Sequence, residues 1–397
     1  MSADGLMPRD AQVAHPAHHA TPSMSAPSDG MHRSSSAVGA LRVVAIGTDD
    51  ERWAAFVTSR PDALTYHHPA WSRVIQEAYG HTPAHLACED EGRRLQGVLP
   101  LCYQRGILSG RRLSSLPNTP VCGPLATSPA AATALLQAAA DRVRSEPGLH
   151  LQIKSLAPDL DPDGKLLARV DWVPTYILEL PTPPEAPSFQ SARHRERIKR
   201  AVKKATKNGV LTREAETSHD LRAWYTLYLE TMRRLAVPPR PFQFFEAAWR
   251  WLKPLGLATL LLAEQHTPSD TQLLGGSLFF MCGQSTRYSY AGYRRETADL
   301  RPNDLIHWTA IHAAWERGEK YFDFGEVSPG HDGLIRFKTK WGAQPWPVYR
   351  YYYPSARDPI GHMAHPGGRI QALRQAVWCR LPLSVTERLG GWIYQHL

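Results

Sequence analysis

The second half of this 397-residue chain is organised around the strand Tyr321-Phe-Asp-Phe-Gly-Glu326. Alternation along a strand places Phe322 and Phe324 on one side and Asp323 on the other. A carboxylate between core-facing aromatic residues needs a partner if it is buried. Asp323 is therefore interpreted either as a structural carboxylate or as a group that orients or receives a proton at the end of the strand.

A short helix, around 334–340, is predicted within the sequence that follows, Gly333-Leu-Ile-Arg-Phe-Lys-Thr-Lys-Trp-Gly342. In a helix Phe337 and Trp341 share one face, and Lys338 sits one residue round from it. A cation beside aromatic surface is suited to stabilise an acyl oxyanion or a phosphate. A lysine on an exposed helix would need no function, so the spacing alone leaves both interpretations of Lys338 open.

Helices and strands alternate along the rest of the chain, which is typical of an α/β (α+β) fold. In the second half the other predicted helices are 191–207, 220–235, 241–252 and 302–317, and the predicted strands are 210–215, 257–264, 272–281, 286–293, 321–325 and 348–353. In the first half the predicted helices are 70–79 and 130–144, and the predicted strands are 41–46, 84–87, 94–103, 111–116, 149–154 and 175–180.

Proline marks the predicted division of the chain. Four of the seven residues from Pro181 to Pro187 are proline, which disfavours a continuing helix or central strand. The predicted parts are a disordered tail at 1–40, a first domain at 41–182, a linker at 183–190, a second domain at 191–357 and a helical extension at 358–397. The tail has no aromatic residue and no apolar segment typical of a secretory signal, and its histidines fix no metal geometry.

The helix 191–207 is the main charged feature. Eight cations between Arg193 and Lys207 face one acid, Glu196, and account for most of the net charge of +9. A solvated surface helix would explain them, but their mutual repulsion favours a polyanionic partner such as RNA, a phosphorylated lipid carrier or an anionic membrane. One apolar stripe is formed by Ile198, Ala201, Val202 and Ala205. The candidate polyanion-binding residues are Arg197, Arg200, Lys203, Lys204 and Lys207.

Two further features carry polar side chains. Tyr288 and Tyr290 are predicted to share one face of the strand 286–293, where they would line a groove or pack in a core. Asn303 lies in the first turn of the helix 302–317, where capping is the simpler role.

Composition and missing motifs exclude several classes of protein. Apolar residues make up 43% and charged residues 21%, and no apolar run approaches the ~20 residues of a membrane span. The five cysteines are scattered without zinc-ligand spacing, so neither a metal site nor a disulfide framework is predicted. The run Gln272-Leu-Leu-Gly-Gly-Ser277 only approximates a loop that binds the pyrophosphate of coenzyme A, and no nucleophile or P-loop signature occurs.

These segments, in this order, resemble the FemAB-like (BioF2-like) acyltransferases of the GNAT superfamily. In the second half the resemblance is carried by 198–210, 231–235, 302–303, 321–325, 333–338 and 341–343. In the first half, His68-Pro-Ala-Trp71, Tyr79-Gly-His81, Gly97-Val-Leu-Pro-Leu101 and Leu113-Ser-Ser-Leu-Pro117 resemble the subgroup found with exosortase and exopolysaccharide loci. The sequence Glu326-Val-Ser328 departs from the Arg-Ser-Thr usual in that subgroup, which suggests a different acceptor.

The resemblance implies two tandem GNAT-like domains, each a mixed twisted sheet flanked by helices. It also implies acyl transfer to an amine, from acyl-CoA or aminoacyl-tRNA and without a tightly bound cofactor. By family position Phe337 and Lys338 would lie at the acyl-transfer channel, where Lys338 would stabilise the tetrahedral oxygen or the donor's phosphate. The mechanism also needs a group that guides the proton, either Asp323 or a neighbouring tyrosine. The substrate-binding residues would be Phe337, Trp341, Tyr288, Tyr290, Asn303 and Glu326.

Three functions are compatible with the sequence. The leading hypothesis is a cytoplasmic N-acyltransferase that acts, without a covalent enzyme intermediate, on an amine of a cell-envelope or exopolysaccharide precursor. Its partners would be the acyl donor, the amine-bearing acceptor, tRNA and the anionic inner face of the membrane. The alternatives are a non-catalytic RNA-binding protein on a degenerate acyltransferase fold and a membrane-surface assembly factor that uses the basic helix and the C-terminal extension.

Overall fold

The strands and helices of the chain are described by a computed structural model for residues 40–106, 110–187, 189, 191–268, 270–355 and 376–396. The strands are β1 Arg42–Ala45, β2 Thr82–Pro83, β3 Leu86–Glu89, β4 Leu95–Leu99, β5 Cys102–Gly106, β6 Gly110–Ser114, β7 Leu125–Ala126, β8 Leu149–Ser155, β9 Ala168–Glu179, β10 Val210–Glu214, β11 Ala258–His266, β12 Thr271–Cys282, β13 Ser285–Tyr293, β14 Tyr321–Glu326 and β15 Gln344–Tyr353. The helices of eight or more residues are α1 Glu51–Thr58, α2 Pro69–Tyr79, α3 Pro129–Ser145, α4 Ala192–Lys207, α5 Ser218–Arg234, α6 Phe242–Trp251, α7 Pro302–Glu316, α8 Asp332–Lys340 and α9 Leu383–His396.

One mixed sheet of eleven strands runs through both halves of the sequence. Its order is β10-β11-β12-β13-β14-β9-β15-β8-β6-β5-β2, and its pairs are antiparallel except for β13 with β14 and β6 with β8. Strand β9 pairs with β14 on one side and β15 on the other. The two halves therefore share a sheet, and the described residues, from 40 to 396 with the gaps given above, group as one compact unit. The division at 182/183 stays a prediction.

The two faces of this sheet carry different helices. On β12, Leu278 and Phe280 belong to a hydrophobic cluster with residues of α2, α5 and α6, whereas Phe279 between them belongs to a second cluster with residues of α4 and α7. Leu383 and Tyr394 of α9 pack on the first cluster, and Phe337 of α8 packs on the second. Alternation along the strand thus separates α9 from the basic helix α4.

Most predicted elements are confirmed, and two differences have clear causes. Helix α1 was not predicted, although Asp50 caps its start by accepting from the N–H of Arg52, and Trp53 and Val57 bury one face. The single strand predicted at 94–103 is two strands, β4 and β5, separated by Pro100, because proline has no N–H for a sheet. The predicted tail, apart from Ala40, and positions 358–375 of the predicted extension lie outside the described residues.

A β-bulge in β13 shows that the prediction of a shared face for Tyr288 and Tyr290 is wrong. Phe279 pairs with Tyr288 and the preceding residue of β12 pairs with Tyr290, so Ser289 is an extra residue on β13. An extra residue reverses the alternation of side chains beyond it. Tyr288 accordingly packs with Phe279 in the second cluster, whereas the ring of Tyr290 packs on Phe245 in the first.

No helix among the residues that the structure describes is long and apolar enough to span a bilayer.

Candidate active site

Strand β14 is irregular close to its end, where its register with β9 shifts between Asp323 and Glu326. We call this β-bulge the turn at Gly325; the φ of Gly325 is +82°, in the left-handed region that glycine adopts without strain. This turn directs backbone groups towards two predicted site residues. The N–H of Gly325 donates to Asp323 Oδ1 at 2.7 Å, and the carbonyl oxygen of Gly325 accepts from Lys338 Nζ at 2.7 Å. The carbonyl oxygen of Glu326 lies 3.3 Å from the same ammonium group. Asp323, Lys338 and Glu326 are thus joined through one turn.

Lys338 is buried, with only 3% of its surface exposed. The pKa of Lys338 is lowered to about 7, chiefly by burial; the charge of Asp323 opposes this shift, as does that of Glu326, whereas the charge of Arg287 adds to it. An ammonium group has three N–H donors, and the two carbonyl groups of the turn take two of them. Within the described residues, the ring of Tyr176 lies 5.8 Å from this ammonium group.

Asp323 is held by three donors. Its Oδ1 accepts from Thr175 Oγ1 at 2.5 Å and from the N–H of Gly325, and its Oδ2 is in an ion pair with Arg287. Burial disfavours the charged guanidinium, but Asp323 raises the pKa of Arg287 above its ordinary value. This geometry supports the structural interpretation of Asp323, in which it orients the turn and Arg287; its catalytic role stays a prediction.

Next to this turn lies a cavity of about 520 Å³, which we call the cation cavity. Five of its lining residues are cationic and one, Glu326, is acidic. The cations come from β6, β8, the segment before α6, β13 and β15, and are Arg112, Lys154, Arg240, Arg287 and Arg350. A cleft lined by one sign of charge concentrates ligands of the other sign, so this cavity is suited to an anion.

Glu326 connects the cation cavity with Lys338. Its Oε2 accepts from the indole N–H of Trp172 at 3.2 Å, and its Oε1 is buried with no hydrogen-bond partner among the described residues. Buried carboxylate oxygens are normally hydrogen-bonded. An unpaired oxygen in the wall of a cavity can therefore accept a hydrogen bond from the amine of a ligand.

Two cations of the cavity are fixed by backbone carbonyl groups of one loop. Arg240 donates to the carbonyl of Asn118 at 2.6 Å and to the hydroxyl of Tyr79 at 2.7 Å. Lys154 donates to the carbonyl of Thr119 at 2.5 Å, and burial, with the charge of Arg350, lowers the pKa of Lys154 to about 7. Sequence reasoning missed both residues, because no local motif distinguishes a lysine in a strand or an arginine after two prolines.

The other predicted residues are not all brought to this cavity. Tyr290 lines it. Phe337 is half-buried and packs against His307, and Trp341 is fully buried against Phe189.

Asn303 is the second residue of α7, where its carbonyl oxygen is hydrogen-bonded to the ring of His307. It does not cap the helix, because the N-cap position belongs to the residue before Pro302. Tyr288, as described above, faces the second cluster. Their substrate-binding roles stay predictions.

The predicted amphipathic pattern of α4 is confirmed. Ile198 and Ala205 are buried in the second cluster, and all eight cations of the helix are exposed. None of these cations makes an ion pair with another described residue. The helix thus presents an unneutralised cationic face on the side of the sheet that carries α8.

The comparison with protein families bears on the part of the chain that contains this turn. Residues 192–339 match the acetyltransferase (GNAT) domain. The match includes α4, α7, β14 and Lys338, and it confirms the predicted acyltransferase class and GNAT-like fold. Enzymes with this domain use acyl-CoA as a substrate, not as a tightly bound cofactor. No curated protein matches the chain.

Solved structures show the same fold at low sequence identity. A crystal structure of FemX aligns with a TM-score of 0.62 at 17% identity, over 79% of this chain and 97% of that one. The structure of L-PGS from Bacillus licheniformis aligns with a TM-score of 0.51 at 11% identity, over 88% of this chain and 98% of that one. The C-terminal domain (DUF2156) of a putative lysylphosphatidylglycerol synthetase from Agrobacterium fabrum aligns with a TM-score of 0.51 at 10% identity, over 76% of this chain and 90% of that one.

Proposed function

We propose that this protein transfers an acyl or aminoacyl group to the amine of an anionic acceptor, a cell-envelope or exopolysaccharide precursor. The observation that carries the proposal is the junction at Gly325. Lys338 donates to both carbonyl groups of this turn, and Glu326 extends from the same turn into the wall of the cation cavity with one carboxylate oxygen that has no hydrogen-bond partner among the described residues.

The proposed reaction is direct attack of the amine on the carbonyl carbon of the donor. The new C–N bond forms as the C–S bond of a thioester, or the C–O bond of an ester, breaks. Glu326 takes the proton from the attacking nitrogen and passes it on to the leaving thiolate or alkoxide, so that the products are the amide and a thiol or alcohol and Glu326 is regenerated as a carboxylate. Lys338 stabilises the negative charge on the tetrahedral oxygen, a contribution typically worth several kcal/mol. No covalent enzyme intermediate is needed.

The charges of the cation cavity support an acceptor with a phosphate or carboxylate group near its amine. Arg240 and Lys154 are fixed in place by Asn118 and Thr119, so they are preorganised for an anion and lose little freedom when it binds. Precursors of envelope polymers carry such phosphates. The motifs of the first half that resemble the exosortase and exopolysaccharide subgroup support the same class of acceptor.

The basic helix α4 supports a donor with a polyanionic part, either aminoacyl-tRNA or acyl-CoA. Arg197, Arg200, Lys203, Lys204 and Lys207 lie on this helix without ion-pair partners among the described residues. The helix and α8 pack on the same face of the sheet. We therefore propose that the donor approaches from this face, on the cytoplasmic side of the membrane, and meets the acceptor at Gly325.

The proposal is tested by offering acyl-CoA and aminoacyl-tRNA donors, separately, to a nucleotide-linked amino sugar and to the same amino sugar without phosphate. Mass spectrometry should detect the acyl-sized mass increase with one donor, and the phosphate-bearing acceptor should react at least about tenfold faster. The variant Glu326→Gln keeps the shape of the side chain but cannot take a proton, so kcat should fall about 10²-fold.

Three outcomes would contradict the proposal. They are transfer that does not depend on the acceptor's phosphate, full activity of Glu326→Gln, and no transfer with either donor. If the last outcome came with tight, salt-sensitive RNA binding that is lost in the triple variant Lys203→Ala, Lys204→Ala, Lys207→Ala, the non-catalytic RNA-binding alternative would replace it.

A further inference from the structure

Helix α9 has an outward face that is unusually apolar. Val385, Leu389 and Trp392 follow one another at helical spacing and are 38%, 41% and 53% exposed. The opposite face of the helix is closely packed. Thr386 is completely buried, and a Cβ atom added to Gly390 would lie 2.1 Å from the carbonyl oxygen of Pro239. The outward stripe is therefore not the side by which the helix docks.

Neighbouring segments extend the same apolar surface. Leu235 and Val237 are exposed in the segment that Gly390 packs against. Val377 is exposed close to the same segment, because the thiol of Cys379, two residues further on, lies 3.3 Å from the carbonyl oxygen of Arg233. Six of the nine large hydrophobic side chains that are exposed in the described chain belong to these segments. Clustering of this kind marks an interaction surface, whereas isolated exposed apolar residues need no explanation.

The charges around this surface favour an anionic partner. The described segment 376–396 contains one acidic residue, Glu387, and it is turned inward to the hydroxyl of Tyr225 at 3.1 Å. Arg380 and Arg388 are exposed beside the stripe. Apolar side chains that include a tryptophan and are flanked by arginine are typical of helices that lie in the interface of a membrane.

We infer that the outer face of α9, with Leu235, Val237 and Val377, docks on an anionic phospholipid membrane. Trp392, Leu389 and Val385 would enter the boundary between headgroups and acyl chains, and Arg380 and Arg388 would contact lipid phosphates. The inward side of the same helix contributes Tyr394 to the wall of the cation cavity. With the outer side of α9 docked, the membrane surface would therefore lie on one side of this helix and the proposed acceptor site on the other.

This surface is distinct from the basic helix. Because α4 packs on the second cluster and α9 on the first, they lie on opposite faces of the sheet. A flat membrane cannot contact both faces at once. Docking through α9 therefore leaves α4 free for a soluble polyanion, in contrast to the sequence-based hypothesis that both segments act together on a membrane.

The test is sedimentation of the full-length protein with phosphatidylcholine vesicles prepared with and without phosphatidylglycerol. The protein should sediment with the anionic vesicles, and less so as salt is added. Leu389→Ser and Trp392→Ala should each weaken binding about tenfold. The matched control is Leu255→Ser, which removes a leucine away from this surface that is even more exposed (56%, against 41% for Leu389) and should bind as the wild type does. Circular dichroism before sedimentation selects variants that are folded.

A second pair of variants separates the two cationic regions. Arg380→Glu with Arg388→Glu should abolish the preference for anionic vesicles, whereas Lys203→Glu with Lys204→Glu should leave it unchanged. The inference is overturned if the protein does not sediment with vesicles, if only the α4 variant loses binding, or if Leu389→Ser instead dissociates a dimer seen by light scattering. Because the readout is lipid binding, it is independent of whether the proposed transferase activity is found.

Discussion

Lys338 and Lys154 are buried lysines in different halves of the sequence. A comparison of the two separates the effect of burial on the pKa of a lysine from the effect of its charged neighbours. Each donates to backbone carbonyl groups, each has a pKa lowered to about 7 by burial, and the charge of Glu326 acts on both. The physical cause of the shift is the same in both cases: a charged ammonium group is disfavoured where water is excluded.

Their charged neighbours differ. Among the charged neighbours of Lys338, Asp323 has the largest effect on its pKa and favours the protonated form. Among those of Lys154, Arg350 has the largest effect and disfavours the protonated form. Lys338 lies behind the turn at Gly325, and Lys154 lines the cation cavity. A shifted pKa therefore does not identify a catalytic lysine by itself. In the proposed reaction, Lys338 acts on the reacting oxygen and Lys154 on the anion of the acceptor.

The largest expected difference between the two lysines is in turnover. Lys338→Ala should lower kcat about 10²–10³-fold because it removes the donor to the tetrahedral oxygen. Lys154→Ala should raise KM for the acceptor about tenfold and leave kcat nearly unchanged, because it removes a ground-state contact. Steady-state kinetics with the nucleotide-linked amino sugar of the proposed test measures both constants. Equal losses of kcat in the two variants would remove the distinction.

The pH dependence of kcat should also separate them. If Lys338 must be protonated to stabilise the oxyanion, kcat falls as pH rises through about 7, the pKa of Lys338. Lys338→Arg should shift this fall to much higher pH, since a guanidinium stays protonated, and Lys154→Arg should not. A fall near pH 7 that persists in Lys338→Arg would assign it to another group.

The two lysines should contribute alike to the pH dependence of the free energy of unfolding. Unfolding returns each lysine to its ordinary pKa of 10.5, so between about pH 7 and pH 10 the unfolded chain binds more protons than the folded one. The free energy of unfolding should therefore rise with pH. Lys338→Met or Lys154→Met should each reduce that slope by up to about 1.4 kcal/mol per pH unit.

The measurement for this prediction is urea unfolding at several pH values. Lys203→Met, which removes an exposed lysine, provides the control and should not alter the slope. A slope unchanged by both buried-lysine variants would mean that neither pKa is lowered.

The smallest expected effect is on the turn that holds Lys338. Gly325→Ala and Gly318→Ala both place a side chain at positive φ, +82° and +74°, and each should lower the free energy of unfolding by about 1–2 kcal/mol. Only Gly325→Ala should also lower kcat, because of these two glycines only Gly325 supplies a carbonyl group to Lys338, and strain at this position would move that group. Thermal unfolding and steady-state kinetics test the pair, and an equal loss of kcat in both would contradict the role given to the turn.

Local sequence was sufficient for most of the elements and for one side of the site. The alternation around Asp323 predicted the strand β14, and the spacing of Phe337, Lys338 and Trp341 predicted the helix α8. Local patterns failed where one extra residue in a strand changed the face to which the following side chains point. The bulge at Ser289 turns Tyr288 and Tyr290 to opposite faces, and alternation cannot reveal a bulge that depends on pairing with β12.

By itself, the sequence determined the class of fold, the acyltransferase signature around Lys338 and the cationic face of α4, because periodicity, motif spacing and charge are properties of neighbouring residues. Only the tertiary structure decided what surrounds Lys338. It joined the halves in one sheet, brought Lys154 and Arg240 to Glu326, and placed α4 and α9 on opposite faces. The physical reason is that burial and electrostatic interaction depend on distance in space, and residues far apart in the chain supply the charges of the cavity.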